Sequence, residues 1–186
     1  INPLSEYASS KVQAEEYLQN SDAIIFRLGT LFGISDEFSR IRLDLVVNIL
    51  VTKALTEGKL TVFGGEQWRP LLHVNDVANA INHTLEDGVT GIFNLHYKNF
   101  KIIDIANEII QKVPSAIIET TPMKFQDARN YQVSSEKLFN STGFKAEVDL
   151  KSGIQEVFDL ISNNRIKDVN HIRYSNQNYL KKYGIE

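Results

Sequence analysis

The stretch LTVFGGEQWRPLLHVNDVANAI, Leu60–Ile81, decides the fold class. KLTVFGG and WRPLLHV read as short strands separated by a glycine turn, and NDVANAINHTLED begins with an Asx cap and continues as an amphipathic helix. The same alternation extends outward. AIIFRLGTLFG is a β-branched run ending at glycines, which reads as a buried strand feeding a loop, and GIFNLH is another short buried strand. Leu43, Val46, Val47, Leu50, Val51, Ala54 and Leu55 follow helical spacing within 39–57, where Gly58 is a stop signal; IIDIANEIIQKV supplies a further helix. Strands interleaved with helices make this an α/β chain.

Beyond that core, AIIETTP reads as a strand, SSEKLFNSTGF as a short helix ending at Gly143, and LKSGIQEVFDLISNN as a longer helix. The polar HIRYSNQNYLKKYGIE reads as a peripheral helix or a frayed tail. At the other end, SEYASSKVQAEEYLQN carries a Pro3 and Ser5 start signal, and Ala8, Val12, Glu15 and Tyr17 give it one apolar and one charged face.

With 42% hydrophobic and 23% charged residues, the 186-residue chain can bury a core as one or two domains. A net charge of -3 without any Lys/Arg block gives no electrostatic reason to expect a nucleic-acid partner or an anionic membrane. The most apolar stretch, LDLVVNILVTKAL, is interrupted by Asp44, Asn48 and Lys53 and falls short of the roughly 20 residues a bilayer span needs. The lack of cysteine excludes disulfides and thiolate metal sites and fits a cytoplasmic protein.

Tyr7 and Lys11, four apart on the first helix, share one face, so a phenol and an ammonium can stand side by side. A neighbouring cation favours a phenolate, which suits a proton-transfer pair. The same spacing recurs at Tyr97 and Lys101, in a stretch read as a loop after a strand, so context must separate a functional pair from a solvent-facing one. His73 is expected to pack between its strand and the following helix, with Asp76 capping that helix or pairing with a neighbour. No His/Asp/Glu set has metal-ligand spacing, and no serine-centred nucleophile elbow is present.

The context of Tyr7 is distinctive. PLSEYASSK, followed by Glu15 or Glu16 and then by FRLGTLFG, resembles the extended short-chain dehydrogenase/reductase family in its NAD-dependent nucleotide-sugar epimerase and dehydratase branch. LTVFGGEQWRPLLHVNDVANAI, GIFNLH, IIDIANEI, DARNYQVSSEKL and GFKAEVDLKSGIQEV follow in that family's order and extend the resemblance over nearly the whole chain. The fold it implies is the C-terminal part of a Rossmann-like doubly wound parallel sheet plus a small α+β substrate-binding lobe.

Residue by residue, the resemblance implies that Tyr7 is the catalytic acid/base and that Lys11 holds the cofactor ribose and tunes Tyr7. Gly29 and Thr30 would lie beside the nicotinamide and the substrate phosphates; Thr30 stands where the family usually carries Asn, and Ile34 replaces the proline that commonly follows Gly33. Arg69 and Arg129 would clamp the diphosphate, for which a planar fork of donors is suited; the alternative for each is a surface arginine or an Arg–carboxylate pair. Asn48 would be a substrate contact or else a satisfied buried amide, and Phe63 would line the nucleotide-base pocket or simply belong to the core. The implied cofactor is NAD, with NADP as the alternative, and the implied substrate a nucleotide-sugar; the full-length subunit would be a homodimer.

A dinucleotide requires a glycine-rich turn at a helix N-terminus, and these 186 residues contain none: Gly64 and Gly65 form a strand-end turn, and Gly29 and Gly33 have the wrong spacing. In the resembled family that turn precedes the Tyr helix. The chain is therefore expected to be the C-terminal part of a longer subunit, incompetent alone, with residues 1–35 and 70–98 belonging to the cofactor domain and 36–69 and 99–186 to the substrate lobe. Epimerase, dehydratase and reductase are not separated by these residues. A reductase of a non-sugar carbonyl and a non-catalytic binding or regulatory module on the same fold are the alternative readings.

Overall fold

Strand Trp68–His73 runs through the middle of the molecule, because both of its faces are covered. Leu71 and Leu72 are each 0% exposed, and neighbours on a strand point to opposite sides, so each lies in a different core. In the computed structural model, which describes residues 3, 5–36, 38–122 and 129–184, the elements in chain order are α1 (Glu6–Leu18), β1 (Ile24–Leu28), β2 (Thr30–Phe32), α2 (Val46–Glu57), β3 (Lys59–Phe63), β4 (Trp68–His73), α3 (Val74–Asp87), β5 (Gly91–Leu95), β6 (Lys98–Lys101), α4 (Ile102–Lys112), β7 (Ile117–Thr121), α5 (Glu136–Thr142), α6 (Leu150–Ser162) and α7 (Asn176–Tyr183). Asp127 and Ala128 of the DARNYQVSSEKL stretch, and Leu4 of PLSEYASSK, lie outside the described residues.

Strand pairing is largely parallel: β1 with β5, β2 with β4, and β3 with β7, whereas β6 runs antiparallel on the other side of β4. Gly29 lies between β1 and β2. Its N–H donates to the Leu95 carbonyl at 2.8 Å, while Thr30 beyond it registers with Leu71, so the chain crosses from β5 to β4 within one residue. A Cβ on Gly29 would come within 3.0 Å of the Pro70 carbonyl oxygen and 3.2 Å of the His96 Cβ, so close passage there favours a residue without a side chain. Thr30, expected in a loop, is thus the first residue of a short strand.

The larger core joins Phe32, Leu71, α2, β3, α4 and α6; the smaller gathers Leu72, Ala80, Phe93, Leu95, Leu138 and Ala146. Each buried aliphatic side chain contributes about 1.5–3 kcal/mol relative to exposure. Helix α2 begins at Val46 rather than near Ser39, because the preceding residues have other partners: the Leu43 N–H donates to the Tyr174 carbonyl at 2.9 Å, and Asp44 accepts from the Asn176 N–H at 2.8 Å. Those bonds also seat the C-terminal residues, which form a 3-10 turn at Ile172–Tyr174 followed by α7.

Two local expectations are resolved. Of the two roles open to Asp76, capping α3 is not the one seen: its carboxylate accepts the neighbouring Glu147 and Val148 N–H groups at 3.3 and 3.0 Å, and His73 caps the helix by accepting from the Asn75 N–H at 3.2 Å. Lys101 belongs to an edge strand rather than a loop, and Tyr97 stacks on Phe100 with ring centroids 6.4 Å apart, so this second Tyr–Lys spacing is structural. Helix α1 starts as expected, with the Ser5 hydroxyl accepting the Ala8 N–H at 3.2 Å, yet none of its residues is buried. Its apolar-face residues Ala8 and Val12 are only half-buried among the described residues. Among the described residues no helix is long and apolar enough to cross a membrane.

Candidate active-site cleft

A cleft of about 820 Å³ opens beside the β1–β2 crossing, and Tyr7, Gly29, Thr30, Phe63, Arg69 and Arg129 all line it. These residues come from α1, the crossing, the end of β3, β4 and the segment before α5. Strand ends in parallel α/β sheets commonly carry ligand sites for this geometric reason. Phe63 is 46% exposed, so it is a cleft wall rather than core.

Lys11 is exposed and is not among the cleft-lining residues; its Nζ lies over the Tyr7 ring, 5.5 Å from the centroid. Helix α1 is tied to β1 by the Glu15–Arg27 ion pair, whose second bond, from Arg27 Nε to Oε2, is 2.7 Å long. The side-chain hydrogen bond from Arg27, opposed by partial burial, holds the Glu15 carboxyl below its ordinary range.

Arg69 is 3% exposed. Its Nη1 donates to the Trp68 carbonyl at 2.8 Å and to the carbonyl of Arg129, so one guanidinium orients the backbone that carries the other.

Asn48, expected as a substrate contact or else as a satisfied buried amide, lies away from the cleft surface. It is 0% exposed and is not among the cleft-lining residues. Its Oδ1 accepts from the Gly33 N–H at 3.1 Å, and its Nδ2 donates to the Gly33 and Arg42 carbonyls at 2.9 and 2.8 Å. Both amide hydrogens are committed, which makes it the satisfied buried amide of the alternative reading.

Sequence reasoning missed Arg42 and Asp44, which also line the cleft. Arg42 Nε and Nη2 donate to the two Asp44 carboxylate oxygens at 2.9 and 3.1 Å. Burial opposes ionisation of Asp44, but the bonds from Arg42 and the Asn176 N–H outweigh it and hold the carboxyl below its ordinary range. The usable signal was two charges, Arg42 and Asp44, immediately before an apolar helix. Away from the cleft lining, His73 Nδ1 accepts from Asn75, so the proton resides on Nε2, which donates to Glu156 at 2.9 Å; the Ile34 N–H donates to the same oxygen at 3.0 Å. Among the described residues no His, Cys, Asp and Glu grouping could hold a metal ion.

The fold and cleft define a class first: an α/β fold of mainly parallel strand pairs with a cleft beside the β1–β2 crossing, lined by Tyr7 of the first helix and by two arginines. The chain belongs to the NAD dependent epimerase/dehydratase family, whose model matches residues 1–96. A relative from Methanocaldococcus jannaschii named "Putative UDP-glucose 4-epimerase" is 29% identical over 182 residues, covering 88% of this chain and 55% of the relative. This chain therefore spans about half the length of that curated relative.

Solved structures share the fold. TunA, an NAD dependent NDP-hexosamine 5,6-dehydratase involved in tunicamycin biosynthesis, superposes with a TM-score of 0.76 at 19% identity, over 90% of this chain and 57% of its own. The UDP-glucuronic acid 4-epimerase of Bacillus cereus, in complex with UDP-glucuronic acid and NAD, gives 0.73 at 22% identity, over 87% and 54%.

Proposed function

We propose that the whole protein is an NAD-dependent enzyme that epimerises or dehydrates a nucleotide sugar, with Tyr7 as its acid/base. The supporting observation is that Tyr7, Arg69 and Arg129 line one cleft. That arrangement suits a substrate with a reactive hydroxyl at one end and a diphosphate at the other. Guanidinium groups match phosphate oxygens and keep their charge, and the exposed Phe63 offers a flat apolar surface to a base. UDP is the first nucleotide to test, given the names of the relatives.

The residues present fit the nicotinamide end of the cofactor: the Tyr7 phenol lines the cleft with the Gly29 crossing, and the Lys11 ammonium lies 5.5 Å from the Tyr7 ring. NAD, when bound, would supply the hydride acceptor for the sugar carbon. Tyr7 takes or gives the hydroxyl proton at the phenol oxygen, and Lys11 offers three N–H donors to ribose hydroxyls. Thr30 offers a hydroxyl to the substrate at the crossing.

In this reading residues 1–35 and 70–98 complete the cofactor domain, and 36–69 with 99–186 form the substrate lobe. Homodimerisation through α1 belongs to the same proposal, supported by a helix that buries none of its residues within this chain.

The test is chromatography of UDP-glucose incubated with the whole protein and NAD, repeated with UDP-galactose and UDP-glucuronic acid. Conversion of one of them to an epimer or a dehydrated keto sugar is expected. Tight UDP binding with none of the three converted would contradict the catalytic reading and favour a binding module.

A further inference from the structure

Residues 129–135 form no regular element, and Arg129, Asn130, Tyr131, Gln132 and Ser134 are exposed, so apolar burial does not fix this segment. Side chains from the neighbouring strands fix it instead. Asn99 on β6 accepts the Val133 N–H on Oδ1 at 3.1 Å and donates from Nδ2 to the Val133 carbonyl at 3.0 Å. This is the paired exchange that an antiparallel strand residue makes with its partner, supplied by one side-chain amide. Asn130 Oδ1 accepts the Trp68 N–H at 3.0 Å, and Arg69 donates to the Arg129 carbonyl.

His96 supports Asn99. The double bond to Val133 fixes which end of the Asn99 amide carries hydrogens, so Nδ2, 3.3 Å from His96 Nε2, is the donor there. Nε2 is then bare, the proton resides on Nδ1, and it donates to Ser135 Oγ at 2.6 Å. Ser135 Oγ also accepts the His96 N–H at 3.0 Å, so this serine has no base to activate it and the pair is a clamp, not a nucleophile. Burial of His96 lowers its pKa, consistent with a neutral ring.

We infer that Asn99, backed by His96, is a positioning residue for the substrate: it holds the Arg129–Ser135 segment so that Arg129 meets a diphosphate in the cleft beside Arg69. The inference rests on the nucleotide-sugar reading above. Asn99 acts through the backbone, so its effect on binding depends on the guanidinium that the backbone carries.

The experiment is calorimetric titration of UDP into the whole protein, for wild type, Arg129→Ala, Asn99→Ala and the double variant, with kcat measured alongside. Asn99→Ala should weaken UDP binding roughly fivefold to tenfold, the cost of losing one or two backbone bonds. It should leave kcat nearly unchanged, and the double variant should bind no worse than Arg129→Ala alone. Wild-type affinity in Asn99→Ala, or losses that multiply in the double variant, would overturn the positioning role. If Asn99→Ala fails to fold by thermal melting, Asn130→Ala serves in the same cycle, with an expected weakening of roughly twofold to threefold. Absence of UDP binding by the wild type would remove the substrate reading and this inference together. UDP binding that is indifferent to Arg129→Ala would remove the inference alone.

Discussion

His73 Nε2 lies 2.9 Å from Glu156 Oε2, joining the end of β4 to α6 across 83 residues of sequence. The same oxygen accepts the Ile34 N–H, so one carboxylate ties α6, β4 and the turn after β2 together. A Cβ on Gly153 would come 2.4 Å from Phe32 Cε2 and 3.3 Å from His73 Cδ2, showing how closely α6 approaches this junction.

Glu156 should make the protein acid-sensitive. Burial raises its pKa, but the bonds from His73 and Ile34 outweigh burial and hold the group below its ordinary value of 4.5. A carboxyl depressed in the folded state binds fewer protons there than in the unfolded chain, so its stabilisation is present above about 4.5 and is lost as pH falls through the folded pKa. Thermal melts from pH 7 to pH 3 should show a steeper loss for wild type than for Glu156→Gln; equal slopes would remove this assignment.

Gly33 should tolerate no side chain. Its φ is +84°, and a Cβ would come within 1.9 Å of His73 Nε2. Gly33→Ala is expected to cost about 3 kcal/mol or more from left-handed strain and the clash, measured by urea denaturation.

Asn48→Ala should destabilise through unpaired backbone groups, because it strands the Gly33 N–H and the Gly33 and Arg42 carbonyls. A loss of about 2–4 kcal/mol is expected. A loss below about 1 kcal/mol would mean that water replaces the amide without difficulty.

Arg69 and Arg129 should separate in their effects. Arg69→Ala is expected to raise KM for the nucleotide sugar about tenfold and to lower Tm as well, because Arg69 is buried and bonds two carbonyls. Arg129→Ala should raise KM as well, and it keeps the Arg129 carbonyl that Arg69 bonds.

Much of the architecture was legible because the helices repeat apolar residues at helical spacing and end at glycines: Gly58 and Gly143 take left-handed φ values of 68° and 73°. Strand β6 escaped notice because KNFK is a short polar edge strand with only one apolar residue. The start of α2 was placed too early because Leu43 continues the helical period although it packs instead with Leu160 and Ile166. Within the cleft, Tyr7, Gly29, Thr30, Phe63, Arg69 and Arg129 were named from ordered motifs. The side-chain clamps, Asn48 on Gly33, Glu156 on His73 and Asn99 on Val133, join residues distant in sequence and leave no local pattern to read.

The most direct test of the account is Tyr7→Phe in the whole protein, with turnover of the nucleotide sugar and UDP affinity measured on the same preparation. The account predicts a fall in kcat of about 10³-fold, the scale of a lost general acid/base, with UDP affinity unchanged. Turnover within about tenfold of wild type would contradict it, because the proton would then move without the Tyr7 hydroxyl.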